Sequence, residues 1–242
     1  LQSGVKYNVS IRGVDCTVES SFRTFSGRLK EGNSPKIVAI SGNDISLNKY
    51  STSREDLWND LAYRLGSEQI DYLLHLGCQV CLSSKSKHSV YHRMETKITS
   101  HPFDFWYKSI ETVREEIRKE YRLTWGHPCA RKVLANVPSL MIAGEHEIHR
   151  CFGSVEGENK ESPWNFFWSQ QARVVYYEYQ RQLWEDVALE DISKISADHH
   201  SHVLGDFGIF FLDTRMMRKW YNESTTSHFG VNQWQSLESA LS

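Results

Sequence analysis

Four short apolar runs, each closed by a polar cluster, constrain what this chain can fold into. The first two are Lys36-Ile37-Val38-Ala39-Ile40 before Ser41-Gly42-Asn43-Asp44, and Tyr72-Leu73-Leu74-His75-Leu76 before Gly77-Cys78-Gln79. The others are Leu140-Met141-Ile142-Ala143 before Gly144-Glu145-His146-Glu147, and Phe207-Gly208-Ile209-Phe210-Phe211-Leu212 before Asp213-Thr214-Arg215. Continuous apolar runs of this length, bounded by turn residues, suit strands buried on both faces. Strands of that kind belong to α/β sheets, where ligands collect outside the carboxyl ends of the strands. The four polar tails are therefore expected to converge on one site.

Helical patterns separate the runs, as an α/β layering requires. Ser53 fits an N-cap with Asp56 three residues on, and Leu57, Leu61 and Leu65 form one apolar stripe that Gly66 is suited to end. A charged helix is expected over about 105–122 and an aromatic one over about 164–184, whose Trp164, Phe167, Trp168 and Tyr176 read as core. A weaker helix follows at about 231–241. Residues 83–92 read as a loop, and His199-His200-Ser201-His202 as a polar loop before the last strand or a ligand cluster. Upstream, 5–25 alternate as a strand with a turn at Gly13-Val14-Asp15, and Ser26 to Pro35 read as a linker.

Composition excludes several roles. Of 242 residues, 40% are hydrophobic and 24% charged, which is ordinary for a globular protein. A net charge of -2 gives no global electrostatic case for nucleic acid. No apolar run approaches the roughly 20 residues of a membrane span. The start, Leu1-Gln2-Ser3-Gly4, holds neither Met nor a signal-peptide core, so an excised or processed piece is expected. Five cysteines make no dense disulfide framework, and that leans the protein towards an intracellular, cytoplasmic setting. The triplets Asn8-Val9-Ser10 and Asn222-Glu223-Ser224 are glycosylation acceptors by pattern and keep the compartment open. Cys78-Gln79-Val80-Cys81 spells C-x-x-C, a redox pair or half of a zinc site by pattern, or two incidental cysteines.

Taken in order, the tails resemble the PhoD-like branch of the metallophosphatases. That family shows Ser-Cys-Asn, His-Leu-Gly-Asp-Gln-Val-Tyr, Asp-Asp-His-Glu and Phe-Leu-Asp-Thr-Arg. This chain has Ser41-Gly42-Asn43, His75-Leu76-Gly77-Cys78-Gln79-Val80-Cys81, Gly144-Glu145-His146-Glu147 and Phe211-Leu212-Asp213-Thr214-Arg215. Trp58, Val137-Pro138-Ser139 and Tyr179-Gln180-Arg181-Gln182-Leu183 add matches. The resemblance implies a metallophosphoesterase-like layered sandwich, helices packed on central β-sheets, with residues 35–242 its N-terminal part and its C-terminal half missing. Residues 1–34 would then be a strand remnant of a preceding small β-domain plus linker.

The resemblance implies a phosphoester substrate and metal ions, Fe, Ca, Mn or Zn. By that analogy Asn43, Cys78 and Glu145 stand at metal positions, His146 at a catalytic one and Arg215 where substrate binds. Bland alternatives stay open: Asn43 as a turn cap, His146 as a loop histidine, Arg215 in an ion pair with Asp213 or a neighbouring carboxylate. Departures fall on the chemistry. The bridging Asp is Cys78, the paired aspartates are Gly144 and Glu145, a downstream Asp is Arg150, and the later Gly-Asp-x-His segment has no counterpart. A thiolate suits zinc rather than hard ions, and Glu145 displaces its oxygen by about one C–C bond, enough to cost roughly 10²-fold in rate. The resemblance and its departures thus imply a phosphoester hydrolase fold, catalytically impaired, with three alternatives open: no metal at all, completion by a C-terminal segment, or a protein-binding pseudoenzyme. An uncovered sheet face would make such a piece associate.

Overall fold

The structure is a computed structural model that describes residues 2, 4–13, 16–24, 35–44, 57–68, 70–83, 87–153, 162–185, 195, 197–204, 206–217 and 229–242. Strands β1 (Lys6–Arg12) and β2 (Thr17–Arg23) form an antiparallel hairpin in the stretch 5–25 expected to be strand, but β1 is exposed at every position except Tyr7, so the alternation does not divide a buried face from an exposed one. It reaches the rest of the chain where the Ser20 hydroxyl donates to the Ala135 carbonyl at 2.7 Å. The turn residues Val14 and Asp15, most of the linker, and the N-cap pair Ser53 and Asp56 lie outside the described residues.

The centre is a parallel sheet, β3 (Ile37–Ile40), β4 (Tyr72–Leu76) and β5 (Ser139–Ile142), in the order β3-β4-β5. Helix α1 (Leu57–Ser67) lies between the first two strands in sequence. Register pairs Ile40 with His75 and His75 with Met141, so the three carboxyl ends finish at one level. The period of two along β4 divides its side chains. Leu73 joins Leu61, Ala62, Val133 and Val137 in a small core under α1, and the alternate His75 faces Trp58, with ring centroids 6.4 Å apart. Leu74 and Leu76 take the opposite face.

Before β5 come four helices where the sequence pattern shows one. Helix α2 (Val90–Thr99) begins inside the stretch expected to be a loop: Ser89 caps it through the His92 N–H, and Val90, Tyr91, Met94 and Ile98 are its buried stripe. The expected charged helix is broken at Ser109 into α3 (Phe103–Lys108) and α4 (Ile110–Trp125). Helix α5 (Pro128–Leu134), opened by a proline suited to a first helical turn, has no counterpart in the sequence reading. The aromatic helix α6 (Pro163–Tyr179) stops sooner than its pattern suggests, giving way to a 3₁₀ turn at Arg181–Leu183. Its Trp164, Phe167, Trp168 and Tyr176 are buried against α2 and α4, the core role expected of them.

The fourth apolar run leaves the parallel sheet. Strand β7 (Phe207–Phe211) pairs antiparallel with β6 (His200–Leu204), the segment expected to be a polar loop. Stacking accounts for this: the His200 ring lies between Trp184 at 4.0 Å and Phe211 at 4.6 Å, behaving as a flat buried surface. Its Nε2 donates to the Met141 carbonyl at 3.0 Å, which ties the ribbon to β5. Burial, with the neighbouring His202 adding to it, lowers the His200 pKa to about 3. Helix α7 (Gly230–Leu241) sends buried Gln233 to both backbone groups of Asp213, at 2.7 and 3.0 Å. Among the described residues, no helix is long and apolar enough to cross a membrane.

Candidate functional site at the strand ends

Level strand ends bring their loops into contact. The Gly42 N–H donates to the Gly77 carbonyl at 3.2 Å, and the Asn43 N–H to the Cys78 carbonyl at 2.7 Å. Between the loops after β4 and β5 sits the fully buried Glu147 carboxylate. It accepts the N–H groups of Cys78 (3.0 Å), Gly144 (2.8 Å), Val80 (3.4 Å) and Gln79. Burial pushes its carboxyl above the ordinary range, and the converging N–H groups oppose that shift. Both oxygens are committed to this backbone nest.

The two loops touch with no room for side chains. A Cβ on Gly77, at φ +94°, would meet Gly144 N and Cα at 2.9 Å. A Cβ on Gly144 would lie 2.6 Å from Cys78 Sγ and 2.7 Å from Cys78 N. The Cys78 sulfur thus lies where a side chain at 144 would have to begin. Cys78 itself has φ 58°, a left-handed conformation in which Asp and Asn are far commoner than other non-glycine residues. Burial and the Glu147 charge raise its thiol pKa, and burial raises that of Cys81 to about 12. Both cysteines are free thiols, held in the protonated form at neutral pH.

A cavity of about 500 Å³ opens beside these loops. Cys78, Gly144, Glu145, His146, Thr214 and Arg215 line one part of it, and leucine, isoleucine and phenylalanine side chains of β4, β5 and β7 line the rest. Glu145 Oε2 lies 3.4 Å from Arg215 Nη2 and accepts the Cys151 N–H at 3.2 Å, while its Oε1 is 3.6 Å from His146 Nε2. His146 Nδ1 is 3.1 Å from the Ser83 carbonyl, an acceptor, so this nitrogen carries a proton. Arg215 also donates to the Phe152 carbonyl at 3.3 Å.

Sequence reasoning brings four residues to this cavity: Cys78, Glu145, His146 and Arg215. Asn43 is adjacent through its backbone but does not line it. Of the partners weighed for Arg215, the structure pairs it with Glu145. The Asp213 carboxylate is instead spent on the N–H groups of Arg215 (2.9 Å), Met216 (2.7 Å) and Met217 (2.8 Å). Glu147 was legible as a motif match but not as the clamp between loops, and Thr214 was unassigned. The only sequence signal for the clamp is a carboxylate three residues after a glycine. Among the described residues, no group of three or more His, Cys, Asp and Glu side chains is gathered to hold a metal ion. The donor set agrees: Glu147 is committed to backbone, Glu145 to Arg215 and Cys151, and Cys78 is a half-buried protonated thiol, so these residues do not fit a pair of hard cations.

The chain is similar in structure to a solved structure described as "Structure of PhoD", with a TM-score of 0.57 and 14% sequence identity. The match covers 93% of this chain and 42% of that one, so the chain spans less than half the length of the protein it matches. At that identity the likeness establishes the fold, a mixed α/β architecture of helices on several small sheets. No protein-family model and no curated protein matches the sequence.

Proposed function

We propose that this chain is the N-terminal part of a PhoD-like phosphoester-hydrolase domain, over 35–242, whose strand-end site is catalytically impaired as it stands. The hairpin side, 1–34, is read as the remnant of a preceding β-domain. The contact of Cys78 Sγ against Gly144 carries the reading. Hydrolysis between two metal ions needs a bridging oxygen donor and terminal ligands around an open, positioned hydroxide. Here a sulfur replaces the bridging carboxylate, and it packs where the next ligand's side chain would start. By resemblance Asn43, Cys78 and Glu145 hold the metal positions and His146 the place of a proton donor. Glu145 instead neutralises Arg215, the residue that would grip phosphate with its fork of donors. The test is turnover of a phosphomonoester and a phosphodiester with Mn, Fe, Ca and Zn supplied in turn. Robust metal-dependent hydrolysis by this chain would refute the impairment.

One observation favours a second reading, activity in a longer protein. The chain spans 42% of the PhoD structure, and Leu76 and Leu212 stand 52% and 39% exposed beside the cavity, where further structure would cover them. A longer natural chain that hydrolyses phosphoesters with metal, where this one does not, would establish that version.

A further inference from the structure

We infer that the strand-end cavity is a binding site for an amphiphilic phosphoester, its phosphate held at Arg215 and Thr214 and its aliphatic or aryl body laid between the sheet and the β6–β7 ribbon. The inference rests on the phosphoester reading above and adds the substrate class. A volume of about 500 Å³ is within the range of sites for small organic molecules. Its two ends differ in chemistry. Arg215 and Thr214 share the polar end with Glu145 and His146, whereas Leu74, Leu76 and Ile142 form one wall and Phe210 and Leu212 another.

Charge decides what kind of molecule fits. Arg215 has Glu145 at 3.4 Å, so a bare phosphate would compete with a carboxylate for the same guanidinium and gain little. Attraction at the polar end therefore adds only about tenfold to affinity while it fixes the ligand's orientation. The walls supply the affinity. Leu76 at 52% exposure and Leu212 at 39% leave apolar surface in water that an inorganic anion cannot cover and an alkyl or aryl group can.

Calorimetric titration of the chain with octyl phosphate, butyl phosphate, inorganic phosphate and octanol tests this. Each buried methylene tightens binding about fourfold, so the four extra methylenes of octyl phosphate are expected to make it roughly 200-fold tighter than butyl phosphate. Arg215→Gln is expected to weaken octyl phosphate about tenfold and leave octanol unchanged. Leu76→Ser, at a half-exposed position, is expected to weaken octyl phosphate and octanol together, with circular dichroism confirming that both variants fold. Octyl phosphate binding no tighter than inorganic phosphate would overturn the inference. So would octanol binding as tightly as octyl phosphate, indifference to Arg215→Gln, or no saturable binding. Phosphate released from bound octyl phosphate under manganese would refute the impairment yet leave the binding site standing. Failure to bind would remove the site and leave the impairment untouched.

Discussion

Replacing Gly144 by alanine adds one methyl group at the contact that defines the site. Gly144 lies outside the left-handed region, so the cost is steric rather than conformational. The new Cβ would sit 2.6 Å from Cys78 Sγ, 2.7 Å from Cys78 N and 3.2 Å from the Gly77 carbonyl carbon. The sulfur can swing away, but Cys78 N is backbone, and it donates at 3.0 Å to a Glu147 oxygen that also binds Gly144 N. Relief must therefore separate the two loops and stretch the nest. Overpacking of this kind costs about 1–3 kcal/mol, which lowers a urea midpoint by about 1 M for ordinary denaturant sensitivity. Cys78→Ala in the same chain removes the sulfur and leaves the backbone clash, so the double variant should recover part of the loss and not all of it. Urea unfolding followed by tryptophan fluorescence reads both. A Gly144→Ala chain as stable as the parent, or full recovery in the double variant, would refute the close approach of the two loops.

Glu147→Gln replaces one of two accepting oxygens with a donor that faces backbone N–H groups, and should cost about 3 kcal/mol in the same assay. His75 gives a pH signature. Both ring nitrogens are buried without a hydrogen-bond partner among the described residues, and burial lowers its pKa from 6.5 to about 4. The unfolded chain therefore takes up a proton that the folded chain refuses, and stability is lost as pH falls from 6.5 towards 4. His75→Leu removes that loss, so its stability advantage over the parent should widen by ~3 kcal/mol between pH 7 and pH 4. A pH-independent difference would contradict the buried neutral imidazole. Gln233→Ala strips both partners from the Asp213 backbone, and hydrogen exchange at the Asp213 amide should accelerate while exchange in β4 stays slow.

Strand runs and their polar tails were legible as continuous apolar stretches closed by turn residues, although β3 alternates exposed and half-buried positions and Leu76 of β4 is exposed, so these strands are not buried on both faces as expected. The β3-β4-β5 sheet lies within a residue or two of its pattern. Segments that deceive do so for identifiable reasons. His200 and His202 look like loop residues until the His200 ring is seen stacked between Trp184 and Phe211 and hydrogen-bonded to His202 at 2.7 Å, a use of histidine that no periodicity announces. The short helix opened by Pro128 has too few residues to show an apolar stripe and went unread. At the site, sequence brought Cys78, Glu145, His146 and Arg215 to one place because each follows a strand. Which carboxylate answers which donor depends on distance: Glu147 faces inward to backbone and Glu145 outward to Arg215, although only His146 separates them.

Strand-end donors already committed within the protein leave nothing to hold a metal ion. Equilibrium dialysis of the purified chain against manganese, followed by elemental analysis, measures that directly. Well under one ion per chain is predicted, for the parent and for Glu145→Gln alike. Two ions retained per chain, and lost when Glu145 or Cys78 is replaced, would contradict it.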